Sequence, residues 1–170
     1  IAIAQTRLGS SRLPAKVMLS INKMTMLEIF VKRLQKSKML DDIIIATTVN
    51  PQDDIIVDEC RRIGVKFFRG DEANVLSRHY LCAKEFGIDT IVRVTSDCQL
   101  MDINGLDEGI RIHNENNADY TSNAITPSFP HGFDYQIVSF SALEKAFYKA
   151  SKPEEIEHAV PYIHNHPEIF

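Results

Sequence analysis

The sequence predicts an α/β fold with a mainly parallel central sheet flanked by helices. Three observations carry this. Short β-branched runs alternate with stretches whose apolar residues recur at helical spacing. The run Ile43-Ile44-Ile45-Ala46-Thr47 suits a strand covered on both faces, as parallel strands are. Gly64 and Gly87 stop two of the helical stretches. The 170 residues, 44% hydrophobic and 25% charged, are those of an ordinary globular chain, long enough for one domain with a real core and short for two.

The elements follow in order. Ile1-Ala2-Ile3-Ala4 reads as a buried strand opening into a loop from Gln5 to Asn22. Leu27, Phe30, Val31 and Leu34 recur at helical spacing with lysines and Arg33 between them, an amphipathic helix ending near Ser37. After the 43–47 strand, Asn50-Pro51 marks a turn and Asp53 to Ile63 a helix. Val65 to Phe68 is a strand, Asn74 to Phe86 a helix, and Thr90 to Val94 a strand. Asn104 to Asn114 is helical, Tyr120 begins a short extended piece and Tyr135 to Val138 another. Helices over about Ser141 to Lys149 and Pro153 to His164 close the pattern. Between Ser122 and Gly132, Pro127, Pro130 and Gly132 indicate a mobile loop beside whatever the sheet binds.

Composition excludes several classes. A net charge of −4 leaves no global basic field to attract nucleic acid or anionic lipid, so any bound anion must be held locally. No apolar stretch approaches a membrane span, and no signal peptide precedes the first strand. Cys60, Cys82 and Cys98 are an odd set without a CxxC pair, which argues against a disulfide framework or zinc ribbon and fits a reducing cytoplasm. The chain starts without Met inside a strand, so a few N-terminal residues are expected to be missing.

The loop QTRLGSSRLPAK, residues 5–16, leaves the first strand where ligands of open parallel sheets sit. Arg7, Arg12 and Lys16 offer three cations, Ser10 and Ser11 hydroxyls, and Gly9 a close backbone approach. A triphosphate carries about four negative charges, and each charge-assisted hydrogen bond is worth roughly 1.5–3 kcal/mol, so a few such contacts could hold a nucleotide. The spacing matches neither GxxxxGK[ST] nor GxGxxG. A solvated, purely structural loop is the competing reading.

Asp97, in TSDCQLMD just past a central strand, can bind Mg²⁺, which takes one or two protein carboxylates and completes its shell with phosphate oxygens and water; a turn role is the alternative, and Asp102 is the better helix cap. Asp134, in FPHGFDYQ, could share the metal. Asn74 is an N-cap, and Arg78 on the helix after it could reach a base or ribose or lie on the surface. His158, His164 and His166 read as surface residues. There is no GxSxG elbow and no recognisable Cys-His arrangement, so nucleophilic catalysis by the protein is not expected.

The ordered runs IAQTRLGSSRLPAKVM, MLEIFVKRLQKSKMLDDIIIATT, GVKFFRGDEANVLSRHY, IVRVTSDCQLMD, FPHGFDYQIVSFSALEKA and EHAVPYIHNHPEIF resemble the cytidylyltransferase family of the spore coat polysaccharide biosynthesis protein F type. That family is similar to the acylneuraminate and 3-deoxy-manno-octulosonate cytidylyltransferases. The resemblance implies a Rossmann-like nucleotidyltransferase domain that joins CMP from CTP to an acidic sugar, releasing pyrophosphate, with Mg²⁺ as cofactor. It implies CTP-phosphate contacts from Arg7, Arg12 and Lys16 on the family's RxGSxRLPxK positions. Leu8, Gly9, Ser10 and Ser11 then belong to the nucleotide site, Arg78 approaches the nucleotide, and Asp97 with Asp134 holds the metal. Two positions depart: Ala15 stands where the loop usually has glycine, and Gln136 where a glutamate is expected. Family members usually continue past the point matching Phe170, so a C-terminal segment carrying sugar contacts or a homodimer surface is expected to be missing. A glycosyltransferase using a nucleotide sugar stays open, although Asp97 is followed by Cys98 and Gln99 rather than completing DxD. A non-catalytic nucleotide-binding domain, which Gln136 would suit, also stays open.

Overall fold

The computed structural model describes residues 1–9, 13–126 and 129–170. In chain order the elements are β1 (Ala2–Gln5), a 3-10 turn (Lys16–Met18), β2 (Ser20–Ile21), β3 (Met24–Thr25), α1 (Met26–Leu34), β4 (Ile43–Thr48), a second 3-10 turn (Pro51–Asp53), α2 (Asp54–Ile63) and β5 (Lys66–Gly70). Then come α3 (Val75–Glu85), β6 (Thr90–Thr95), α4 (Ile103–Glu115), β7 (Tyr120–Ser122), β8 (Gln136–Ser139), α5 (Phe140–Lys149), α6 (Pro153–His158) and α7 (Pro161–Asn165).

Six strands form one sheet in the order β5-β4-β1-β6-β8-β7. The pairs β5–β4, β4–β1 and β1–β6 are parallel, and β8 pairs antiparallel with both β6 and β7. All six residues of β4 are buried, as its β-branched run requires. One face packs Ala2, Ala4, Ile45, Val92 and Val94 against α1, α2 and α4; the other packs Ile3, Ile44, Ile91 and Val138 against α3, α5 and α7. The mainly parallel, helix-flanked sheet is the one the alternation predicts. Because β4 and β5 lie on one side of β1 and β6 on the other, the chain reverses direction across the sheet between β1 and β6. Ligands of open α/β sheets bind at such a point.

Local chemistry explains the helix starts. Thr25, Asn74, Asp102 and Ser139 each accept a backbone N–H at the first turn of α1, α3, α4 and α5, the role hydroxyl, amide and carboxylate side chains fill at N-caps. Gly64 closes α2 at φ 70°. Two sequence expectations change. The stretch from Gln5 to Asn22 is not wholly loop, since it contains a 3-10 turn and the first strand of a two-stranded hairpin too short to show a period. The helix expected over Pro153 to His164 is two helices: Ala159 turns left-handed at φ 69°, and Pro161, which lacks an N–H and disfavours helix at the residue before it, starts α7 instead of continuing α6.

The loop before β8 closes on Asn123, whose Nδ2 donates to Phe133 O at 2.9 Å and whose Oδ1 accepts from Tyr135 N at 3.0 Å. Tyr135 then reaches across α4 and donates to Gly105 O at 3.0 Å. A Cβ on Gly109 would stand 2.5 Å from the Tyr135 ring and hydroxyl, so glycine permits this crossing. Gly109→Ala should cost about 1–3 kcal/mol through overpacking, read as a lowered urea midpoint with an unchanged m-value.

Candidate active site

A cavity of about 780 Å³ opens at the carboxyl ends of β1 and β6, the point where strand order reverses. Its floor is Gln5, Thr6, Thr95 and Ser96; one wall carries Arg7 and Gly9, and the start of α3 with α6 supplies much of the rest. Lys16 and Asp97 meet across it, Lys16 Nζ to Asp97 Oδ2 at 2.5 Å. Partial burial raises the Asp97 carboxyl, but the hydrogen bonds from Lys16 and Thr95 outweigh this and hold it below the ordinary aspartate value. Arg7 Nη1 pairs with Glu72 Oε1 at 3.3 Å, and Asn50 Nδ2 donates to the other Glu72 oxygen at 3.3 Å. Each of the two cations thus faces a carboxylate from another part of the chain.

The loop after β1 is held from beneath. Leu8 N donates to Asp53 Oδ1 at 2.9 Å, and the Thr48 hydroxyl donates to Asp53 Oδ2. Asp53 is wholly buried. Leu8, which the resemblance places in the nucleotide site, thus has its amide engaged by Asp53 and its side chain packed on the core. Ala15 is left-handed at φ 54°, a conformation that costs a residue with a Cβ roughly 1–2 kcal/mol and that the glycine expected there from the resemblance would adopt without that cost.

Arg78 lines the cavity but is not a free probe: it is buried, and Nη1 donates to Asp71 O at 2.7 Å and Glu72 O at 3.4 Å. It holds the turn that presents Glu72. Its Nε is buried without a partner, as is His79 Nε2. Since His79 Nδ1 faces the carbonyl of Val75 at 2.9 Å, Nδ1 must carry the proton. Burial, with Arg93 adding to it, pushes the His79 pKa down to about 3.

Asp134 acts on the Cys98 thiol by its charge yet is not among the described residues that line the cavity. Among the described residues no group of three or more His, Cys, Asp and Glu could hold a metal. Gln136 is occupied elsewhere, its Oε1 accepting from Arg93 Nη1 at 2.7 Å. Ser10, Ser11 and Arg12, read as phosphate contacts, lie outside the described residues. Burial pushes the thiols of Cys60 and Cys82 up to about 12 and raises that of Cys98, so none is a ready nucleophile. Asp53, Glu72 and Gln5 were not legible as site residues, and His158, expected at the surface, is exposed on the cavity wall. For Asp53 the available signal was a second carboxylate beside a Pro-led helix start.

Residues 1–170 match the cytidylyltransferase family. The chain belongs to that family. It is 32% identical over 173 residues to the spore coat polysaccharide biosynthesis protein SpsF of Bacillus subtilis, covering 99% of this chain and 71% of that one. The structure of a cytidylyltransferase from Leptospira borgpetersenii superposes with a TM-score of 0.92 at 34% identity, covering 99% of this chain and 72% of the other. A CMP:2-keto-3-deoxy-manno-octonic acid synthetase, solved with CTP, shares the fold at a TM-score of 0.70 and 15% identity over 93% of this chain and 81% of its own. This cytidylyltransferase is therefore a nucleotidyltransferase by family. None of its described helices is long and apolar enough to cross a membrane.

Two outcomes follow for the support beneath the site. Asp53→Asn leaves one acceptor oxygen for two donors, so stability should fall by roughly 1.5–3 kcal/mol, the worth of a hydrogen bond to a charged group; urea denaturation reads it. His79 takes up a proton when unfolded, near pH 6.5, and resists it when folded down to about 3. The unfolded state therefore binds more protons in that window, and stability falls as pH drops through it by up to about 1.4 kcal/mol per unit. Burial lowers His113 and His164 too, so the check is comparative: a His79→Phe protein should lose less stability between pH 6.5 and 5 than the wild type.

Proposed function

We propose that this cytidylyltransferase transfers CMP from CTP to an acidic sugar, releasing pyrophosphate, as a step in surface polysaccharide or glycan biosynthesis. The observation that carries the reading is the facing of Lys16 and Asp97 across a cavity at the carboxyl ends of β1 and β6, where a phosphate-binding cation and a cation-binding carboxylate are needed within reach of one ligand. Family membership and the names of the relatives support the nucleotide and the pathway. Buried, free cysteines suit a cytoplasmic setting.

In this reading an oxygen of the sugar attacks the α-phosphorus in line and pyrophosphate leaves opposite, so the protein's work is positioning and charge stabilisation. Lys16 and Arg7 exchange their carboxylate partners for triphosphate oxygens, with Ser10, Ser11 and Arg12 completing the loop. Gly9 borders the cavity, and an added Cβ there would lie in ordinary van der Waals contact with Glu72 Oε1 at 3.5 Å. Arg78 acts from beneath by fixing the 71–72 turn. Mg²⁺ fits the donor chemistry: Asp97 is a hard oxygen ligand with its side chain 47% exposed and held ionised, and Mg²⁺ needs only one or two protein carboxylates. Asp97 would be the principal holder and Asp134 the second, and the bound ion would offset charge on the phosphate oxygens.

The decisive experiment is pyrophosphate release on mixing the protein with CTP, Mg²⁺ and an acidic sugar; release with CTP and none with a nucleotide sugar is expected. Lys16→Ala should weaken CTP binding by roughly 1.5–3 kcal/mol, and unchanged affinity in calorimetry would remove the loop from the site. Asp97→Asn should abolish turnover while leaving the urea midpoint near that of the wild type, and normal release at low Mg²⁺ would contradict the metal role.

A further inference from the structure

We infer that Arg93 recognises the carboxylate of the acceptor sugar, and that Gln136 makes this possible by holding Arg93 without neutralising it. The inference rests on the cytidylyl-transfer reading above and assigns the part of the site that reads the acceptor.

Arg93 sits in β6 with Ile3 of β1 on one side and Gln136 of β8 on the other. Its guanidinium donates from Nη1 to Gln136 Oε1 at 2.7 Å and from Nη2 to Gln5 Oε1 at 3.0 Å. Both acceptors are neutral amides. Nε is buried without a partner, and no carboxylate forms an ion pair with this arginine among the described residues. The five residues outside the description are Ser10, Ser11, Arg12, Pro127 and Ser128, so none of them hides a counter-ion. Asp97 feels Arg93 by its charge but is itself paired to Lys16.

A guanidinium stays charged in a protein, and holding that charge half-buried without a counter-ion is costly. An anionic ligand removes the cost on arrival. The cation therefore waits for an anion, and its position says which one. Gln5, one of its two holders, forms the cavity floor beside Thr95. Arg7 leans the other way, toward Glu72 beyond the end of β5, and Lys16 crosses to Asp97. Arg7 and Lys16 thus belong to the loop after β1, the triphosphate side of the proposed site, whereas Arg93 lies on β6 with its guanidinium held between Gln5 of β1 and Gln136 of β8. In-line displacement puts the acceptor opposite the leaving pyrophosphate. The anion Arg93 meets is therefore carried by the acceptor.

Residue 136 then acts as a selector. A glutamate there would keep the hydrogen bond to Arg93 and cancel its charge, favouring a neutral acceptor. The amide keeps the geometry and leaves the charge for the substrate.

Calorimetric titration of the full chain tests this, using 3-deoxy-manno-octulosonate and N-acetylneuraminate, each beside its methyl ester, with CTP titrated separately. Wild type should bind at least one acid in preference to its ester. Gln136→Glu should weaken the acid by about 10- to 100-fold, the equivalent of one charge-assisted hydrogen bond, and leave the ester and CTP unchanged. Gln136→Met, which drops the hydrogen bond without adding charge, should keep the preference for acid over ester. Equal losses for acid and ester, loss of CTP binding with the acid intact, or a wild type without an acid preference would overturn the assignment. The two readings separate cleanly: CTP binding without acid preference leaves cytidylyl transfer standing and removes Arg93 from the acceptor site, whereas acid preference without CTP binding keeps Arg93 and removes the nucleotide.

Discussion

Four residues, Ala2–Gln5, are hydrogen-bonded on both sides by parallel strands and packed on both faces, and the placement of the site depends on that confinement. A strand so enclosed can carry small and β-branched residues only while it stays inside, and the first polar side chains appear where it leaves. Gln5, Thr6 and Arg7 are those residues. Because β6 runs parallel in register with β1, Ala4 beside Val94 and Gln5 beside Thr95, its own exit delivers Ser96 and Asp97 to the same rim. Lys16 and Asp97 are 81 positions apart in sequence and meet because two parallel strands end together.

What was legible in the sequence follows from that same regularity. Parallel strands announce themselves as apolar runs and their crossover helices as amphipathic stretches, so β1, β4, β6 and α2–α5 could be read to within a residue or two, whereas α1 ends at Leu34, three residues before the expected Ser37. Features set by tertiary context could not. The β2–β3 hairpin has two residues a side, too few for alternation to register. The break between α6 and α7 turns on one left-handed alanine before Val160-Pro161, where the apolar spacing continues undisturbed. β8 carries Gln136 beside Ile137 and Val138, and nothing local shows that its amide is committed to an arginine 43 positions earlier in sequence.

The site divides in the same way. Arg7 and Asp97 stood out because they are charged residues just past strand ends, and Lys16 because it closes the cationic loop that follows β1, placements that need no knowledge of partners. Their supports were hidden because each is a long-range contact: Asp53 reaches Leu8 from 45 positions away, and Glu72 reaches Arg7 from 65. Arg78 was read as a ligand group, and its burial shows why a charged residue on a helix facing a sheet is ambiguous. A guanidinium can satisfy backbone carbonyls as readily as a phosphate, and here it holds the turn that positions Glu72.

The pairing of Lys16 with Asp97 and of Arg7 with Glu72 also bears on how an anion could enter. Both pairs are substantially exposed to solvent, and exposed ion pairs are worth only about 0.2–1 kcal/mol. A phosphate contact by the same cation, made in a cavity that excludes part of the water, is worth roughly 1.5–3 kcal/mol. Exchange therefore favours the polyanion, while the ion pairs keep the loop's cations pointed into the cavity before it arrives. The exchange would also free the Asp97 carboxylate, the residue proposed to hold the metal, from its partner Lys16. Under the proposed roles, anion and metal binding would be coupled through one lysine, because Asp97 could not serve a metal fully while Lys16 holds its oxygen, and Lys16 would give up that oxygen most readily when a phosphate takes its place.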